Sequence, residues 1–283
     1  MATTLVQDLI EAGIHFGQRS SGWNPRMEPY IYGKRNGIHI IDIKETVKGL
    51  LLAKKFVTKT VADGKDICFV GTKRQAKGVI EQRVGDAKMH YVTERWLGGT
   101  LTNFRTIRSR PKRLEDLEAI EAEDNFQSYS KKMESQLRRE MRKIKRNLDG
   151  IRNMSKLPGA IVVIDVRRES TALKEARKLG IPTICLIDTD ANPEMADIPI
   201  PGNDDSMRSI DVVVRELCKA VSDGKQARQA VTGGAEGEEQ ASGEPTRRRS
   251  SRSQFRADDA SAGASEASSE TPAPATEAAP AES

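Results

Sequence analysis

Ile67-Cys68-Phe69-Val70-Gly71-Thr72-Lys73-Arg74 runs from an apolar stretch into a glycine turn, and residues 75–84 then follow with helical periodicity. Strand, tight turn and helix in that order is half of a βαβ unit. Met89-His90-Tyr91-Val92 supplies the next strand. Further on, Ala160-Ile161-Val162-Val163-Ile164 is a continuous apolar run, the pattern of a strand covered on both faces. Residues 169–179 read as a helix closed by Gly180, residues 182–187 as another covered strand, and Ile198-Pro199-Ile200 as a short edge strand, since its proline lacks a ladder donor. The last helix spans about 206–221. Strands and helices alternate, which predicts an α/β fold with a mostly parallel sheet and helices on both faces.

Upstream, Thr4-Leu5-Val6-Gln7 has the form of a capping box, and Leu5, Leu9 and Ile10 follow at helical spacing up to Gly13. Residues 13–37 are rich in glycine, aromatics and basic groups, and read as irregular structure. Ile38 to Ile43 is a strand candidate, and the apolar positions Val47, Leu50, Leu51, Ala53, Val57 and Val61 describe a buried helix face within 46–62.

Between the two α/β stretches the chain leaves the pattern. Trp96-Leu97-Gly98-Gly99-Thr100-Leu101-Thr102-Asn103 leads into a charged, helical insertion. Its second half places Met133, Leu137, Met141, Ile144, Leu148 and Ile151 three or four residues apart, the seam of a helix packed on one partner. The first half offers Leu114, Leu117 and Ile120, and residues 124–128 can turn the chain. An antiparallel helical hairpin of coiled-coil type is the simplest solution, with Pro111 confined to a first turn or a kink.

The charges of this arm are sorted. Arg105, Arg108, Arg110, Lys112 and Arg113 occur without an acid among them, and Arg138, Arg139, Arg142, Lys143, Lys145 and Arg146 surround Glu140 alone. The acids of the first half lie between 115 and 124, toward the turn. Side by side, the basic segments would form a strip suited to a sugar–phosphate backbone.

Of the 283 residues, the stretch 233–283 is unfit for a core: 41 of its 51 positions are Ala, Gly, Ser, Glu, Pro or Thr. Residues 224–283 are therefore expected to form a disordered tail. The tail is net acidic, so the +5 of the whole chain becomes +8 on residues 1–223, and the part that folds is the basic part. The organisation expected is an N-terminal helix and loop segment (1–37), a core domain (38–100 and 156–223), the hairpin (101–155) and the tail.

Cys68, Cys185 and Cys218 have no paired spacing, which suits reduced, packed thiols. No N-terminal targeting pattern and no apolar run near ~18 residues occurs. Cytoplasm is the expected compartment. His15, His39 and His90 are isolated from the cysteines and from each other, so core or loop histidines with satisfied hydrogen bonds are expected rather than a metal site. Asp188-Thr189-Asp190 and Asn203-Asp204-Asp205 follow strand ends, where α/β enzymes place carboxylates, but neighbouring turn formers favour structural use, with Asp205 or Ser206 capping the last helix. Gly71-Thr72-Lys73-Arg74 could offer N–H groups and two cations to a phosphate, yet it lacks the spacing that surrounds a triphosphate.

Five segments carry a resemblance: Gly13-Ile14-His15-Phe16-Gly17, Trp23-Asn24-Pro25-Arg26-Met27, residues 35–42, Trp96 through Asn103, and Ile200-Pro201-Gly202-Asn203-Asp204-Asp205. In order and across residues 5–222, they resemble the bacterial small-subunit ribosomal protein S-two family. The resemblance implies a flavodoxin- or Rossmann-like three-layer α/β domain with a protruding hairpin, no enzymatic activity, no cofactor and no obligate homo-oligomer. It also implies a place on the small ribosomal subunit, with partners that are ribosomal RNA and neighbouring proteins, including the mRNA-binding protein S-one. Carried over, Arg19, Trp23, Asn24, Arg26, Lys34, Arg35, Lys73, Arg74, Arg95, Thr102, Asn103 and the basic groups of the hairpin are expected to face RNA. The chain departs from many members at Gln18, where they carry a second histidine. The rival reading is a nucleotide-binding α/β enzyme with a regulatory hairpin.

Overall fold

The computed structural model describes residues 2–124, 126 and 129–240. In chain order its elements are α1 (Ala2–Glu11), β1 (Phe16–Arg19), β2 (Ile31–Arg35), β3 (Ile38–Ile41), α2 (Ile43–Ala62), β4 (Ile67–Val70), α3 (Arg74–Asp86), β5 (His90–Val92), α4 (Phe104–Asp124), α5 (Lys131–Leu148), β6 (Ala160–Ile164), α6 (Ser170–Leu179), β7 (Thr183–Ile187), β8 (Ile198–Pro201) and α7 (Met207–Gln240).

The main sheet is five-stranded and parallel, in the order β5-β4-β6-β7-β8. Renumbered from β4, that is the flavodoxin-like order 2-1-3-4-5, whose switch point lies between β4 and β6. Both faces are covered, and the period of two along each strand divides its residues between two cores. Ile67, Phe69, Val162, Ile164, Ile184 and Leu186 pack with α2, α3 and α7 through Leu50, Val57, Ile80, Val213 and Leu217. Cys68, Val70, Ile161, Val163, Cys185 and Ile187 face the other way, toward Ala172, Leu173 and Ala176 of α6 and toward Leu114, Ile144 and Leu148 at the base of the hairpin. The hairpin is thus rooted in the second core. Burial pushes the Cys68 thiol up to about 12 and that of Cys218 up to about 11, as expected of packed, reduced cysteines.

The first forty residues are more regular than their composition suggests. Residues 13–37, expected to be irregular, contribute β1 and β2, which flank β3 in a separate three-stranded antiparallel sheet. Ile38 to Ile41 is indeed a strand, but it belongs to that sheet and not to the parallel one. Helix α1 starts before Thr4, so the proposed capping box lies inside the helix. Asp42, whose carboxylate accepts the Lys44 N–H, caps α2.

Helix α4 carries Pro111 in its interior, past the first turn, where the ring is buried. A proline there forfeits a helical hydrogen bond, and packing against α5 and the second core offsets the loss. The seam of α5 is graded: Met133 is 45% exposed, whereas Ile144 and Leu148 are 8% and 4%. Contact with the domain, not contact between the two helices alone, therefore anchors the arm. At its tip Phe126 is fully buried, with the Arg138 guanidinium 5.6 Å from its ring. At its base Gly150 approaches β5 so closely that any side chain would strike the Tyr91 carbonyl and ring.

Helix α7 continues through Gly224 to Gln240, well past the expected end near 221. Gly224 lies against Val61 and the Thr58 carbonyl of α2, and Lys225 Nζ donates to the Ala87 carbonyl at the end of α3 at 2.8 Å, which accounts for the continuation. Residues 241–283 of the expected tail lie outside the described residues.

Candidate nucleic-acid interface

In a sheet of this topology the crevice at the switch point, beyond the carboxyl ends of the strands, is where ligands bind. Here the chain fills it with its own groups. Lys73, after β4, lies 2.7 Å from Asp204 and 2.5 Å from Asp205 after β8, and 3.8 Å from Asp165 after β6. Gln18 of β1 reaches across to Asp188 and Asp205, and its N–H donates to Thr189 Oγ1 at 2.9 Å. Desolvation pushes Asp204 up to about 7 and Asp188 up to about 6, partly countered in Asp204 by the Lys73 ammonium. Oxygens of Asp188, Asp204 and Asp205 lie within 4.8 Å of one another, and the ammonium of Lys73 supplies the positive charge that this gathering requires.

The phosphate reading of Gly71-Thr72-Lys73-Arg74 is corrected by the same geometry. Glu169 accepts the Thr72 N–H at 3.1 Å, taking the donor that a phosphate would need, and Lys73 is committed to carboxylates. Only Arg74 of the motif is exposed. Ser206, rather than Asp205, caps α7, its hydroxyl accepting the Ser209 N–H at 3.4 Å. Two of the three histidines depart from expectation: neither ring nitrogen of His39, nor Nδ1 of His15, has a hydrogen-bond partner among the described residues. Burial holds the His15 imidazole below its usual value.

Another buried carboxylate organises the root of the arm. Glu175, on α6, accepts N–H groups from Gly99 at 2.8 Å, Leu101 at 3.0 Å and Thr102 at 3.3 Å, and the indole N–H of Trp96 at 3.2 Å. The 96–103 segment is wrapped around this one side chain. Gly99 has φ +91°, which L side chains rarely adopt. Nothing in the sequence marked Glu175, because a lone acid in an amphipathic helix normally reads as a solvated face.

The other expected contacts divide by exposure. Arg19, Lys34 and Arg35 are exposed on the small sheet, and Arg95 and Asn103 beside the root of the arm. Trp23 is half-buried, its ring 5.1 Å from that of His39. Asn24 caps a short helical turn by accepting the Arg26 N–H, and Arg26 is ion-paired with Glu194. The Thr102 hydroxyl is directed at Glu175.

Within the arm, Arg105, Arg108, Arg110, Lys112, Arg139, Arg142, Lys143, Lys145 and Arg146 are exposed, while Arg113 and Arg138 are partly covered. They do not form one strip. Lys145 and Arg146 border a pocket that also holds Glu81 and Glu94, and Arg146 lies 3.7 Å from Glu94. Arg105, Arg108 and Lys112 border a different groove, with Lys156 and no acid. Lys156 was missed because it sits just past the arm, outside both basic runs.

Platform and arm define a structural α/β protein: its cofactor crevice is closed by internal ion pairs and its outstanding surface is a cationic projection. Residues 9–224 match the family described as ribosomal protein S2. The chain is 56% identical to the small ribosomal subunit protein uS2 of Rhodopirellula baltica over 225 residues, covering 80% of this chain and 86% of the relative. It is 49% identical to small ribosomal subunit protein uS2c of Rhodomonas salina (81% and 94% covered), and 47% identical to uS2 of Synechocystis (82% and 86%). The chain belongs to the ribosomal protein S2 family, with a structural, non-enzymatic role in the small ribosomal subunit.

Proposed function

We propose that the chain binds ribosomal RNA through the arm and the exposed cations beside its root, and helps to hold the mRNA-binding protein S-one on the small subunit. One observation carries the RNA reading. Arg105, Arg108, Arg110 and Lys112 of α4 and Arg139, Arg142, Lys143 and Lys145 of α5 are exposed and have no ion-pair partner among the described residues. Like charges gathered without counter-charges repel one another and gain from a polyanion. Contacts of this kind grip backbone and shape rather than sequence. The reading assigns 101–155 to RNA contact, the core domain to support, and 1–37 to sealing the crevice.

The S-one contact follows from what the S2 family implies. The exposed apolar residues Phe16, Tyr32 and Ile38 of the small sheet, 49%, 80% and 38% accessible, offer it a surface.

Filter binding of the purified chain to small-subunit ribosomal RNA tests the first part. The logarithm of affinity should fall linearly with that of salt, each phosphate contact adding roughly 0.7–0.9 to the slope. The double variant Arg142→Glu/Lys143→Glu should lower affinity at least tenfold. A salt-independent affinity, or an unaffected double variant, overturns the reading. For the second part, subunits carrying Tyr32→Ala should lose S-one on sedimentation while retaining the chain itself.

A further inference from the structure

The groove between α4 and the segment that follows the arm differs from the pocket beside Lys145 and Arg146, which holds Glu81 and Glu94. Arg105, Arg108 and Lys112 recur three and four residues apart on α4 and so share one helix face. Lys156 faces them from the segment 155–157, and the Arg108 guanidinium donates to the Ser155 carbonyl at 3.1 Å, tying wall to wall. Three residues before this segment, Arg152 ties the chain to α4 through Glu118 at 2.8 Å and Glu115 at 3.5 Å. The walls are therefore held, not merely adjacent. The groove, open to solvent, offers about 690 Å³ and is lined by no acid, and none of its four cations has an ion-pair partner among the described residues.

Its lining is not only charged. Phe104 and Leu157 contribute apolar surface between the cations, and Leu157 is 44% exposed. A duplex backbone presents phosphates and sugars to a convex cationic face and keeps its bases stacked inside, so it has no use for an apolar lining. An unpaired nucleotide does: its base, free of the stack, covers the apolar residues while the flanking phosphates meet the cations.

We propose that this groove seats an unpaired nucleotide of the RNA, its phosphates held by Arg105, Lys112 and Lys156 and its base against Leu157. The assignment rests on the RNA reading above and adds the kind of RNA element and the residues that select it. Arg108 acts as a positioning residue that keeps the segment 155–157 against α4.

Filter binding of the full chain tests this with three probes: small-subunit ribosomal RNA, a short RNA hairpin carrying a bulge, and the same hairpin fully paired. The bulged hairpin should bind at least about fivefold more tightly than the paired one. Leu157→Ser should erase that preference, and Lys156→Ala should weaken bulge binding several-fold and reduce the salt slope by about one. Both side chains are exposed, so the variants are expected to fold, as circular dichroism would verify. Equal affinity for the two hairpins, or groove variants that bind like the parent, would refute the groove while leaving the RNA reading intact if ribosomal RNA is still bound. Failure to bind ribosomal RNA at all removes both. Groove variants that keep all RNA affinity but lose a neighbouring protein from reconstituted subunits would make the groove a protein contact and overturn the proposal.

Discussion

The Glu175 carboxylate accepts the Gly99 N–H at 2.8 Å, so a helix that packs on the sheet fixes the loop from which the arm departs. The pair couples an internal charge to the direction of an external projection.

Glu175→Ala would leave the donors of Trp96, Gly99, Leu101 and Thr102 without their acceptor, which should cost about 2–3 kcal/mol in urea unfolding at neutral pH. Burial pushes the Glu175 carboxyl up, but the N–H groups of Gly99, Leu101, Trp96 and Thr102 outweigh it and hold the group below its ordinary value. A carboxyl depressed in the folded state contributes stability above its unfolded pKa of about 4.3 and loses that contribution as pH falls through the folded value. The gap between parent and variant should therefore narrow below about pH 4. A gap constant from pH 7 to pH 3 would show that the charge is not what holds the loop.

Gly99→Val places a β-branched residue at φ +91°, with a cost of about 1–2 kcal/mol or more that the loop can shed by rotating the arm. The far-ultraviolet spectrum should be preserved while incorporation into small subunits drops. Incorporation at the parental level would mean that the arm's direction does not depend on this turn.

Lys73→Met removes the cation between Asp204 and Asp205, leaving the buried Asp204 without its counter-charge and in repulsion with Asp188 and Asp205. The expected destabilisation is about 3 kcal/mol, in the range for breaking a buried pair from one side. Adding Asp204→Asn should recover part of it, and a thermal melt would measure both. No recovery in the double variant would mean that repulsion among the acids is not the cause.

Phe126→Ala empties the tip of the hairpin, where Arg138 covers the ring. Because the tip is remote from both cores, the effect should be local fraying rather than global unfolding. Trypsin should cut at Lys131 or Lys132 at least several-fold faster, with the melting temperature within about 2 °C of the parent. A large drop in melting temperature would show that the tip is cooperative with the domain.

Much of the platform was legible because parallel strands covered on both faces must be continuously apolar. The runs 67–70, 160–164 and 183–187 are four or five residues long, too short for a buried helix, and rich in β-branched residues. The arm was legible through the spacing of Leu137, Met141, Ile144 and Leu148. The small antiparallel sheet was not: Phe16–Arg19 and Ile31–Arg35 are only four and five residues long, each contains a glycine, and neither alternates apolar with polar, so local pattern carried no strand signal. The length of α7 was hidden because Gly224 reads as a stop until its packing against α2 is known.

Sequence alone determined the alternation of strand and helix, the presence of a charged hairpin and the basic character of the folded part, since periodicity and charge are local properties of the chain. Tertiary structure alone decided which charges remain available. Lys73 and Arg26 look like Arg105 and Lys112 in the sequence, yet carboxylates distant in the chain, at Asp204, Asp205 and Glu194, neutralise the first two, while the second two are left facing Lys156 across a groove without an acid. Electrostatic pairing acts through space, over a few ångströms, between residues up to 168 positions apart in the chain, and no reading of neighbours along the sequence can supply it.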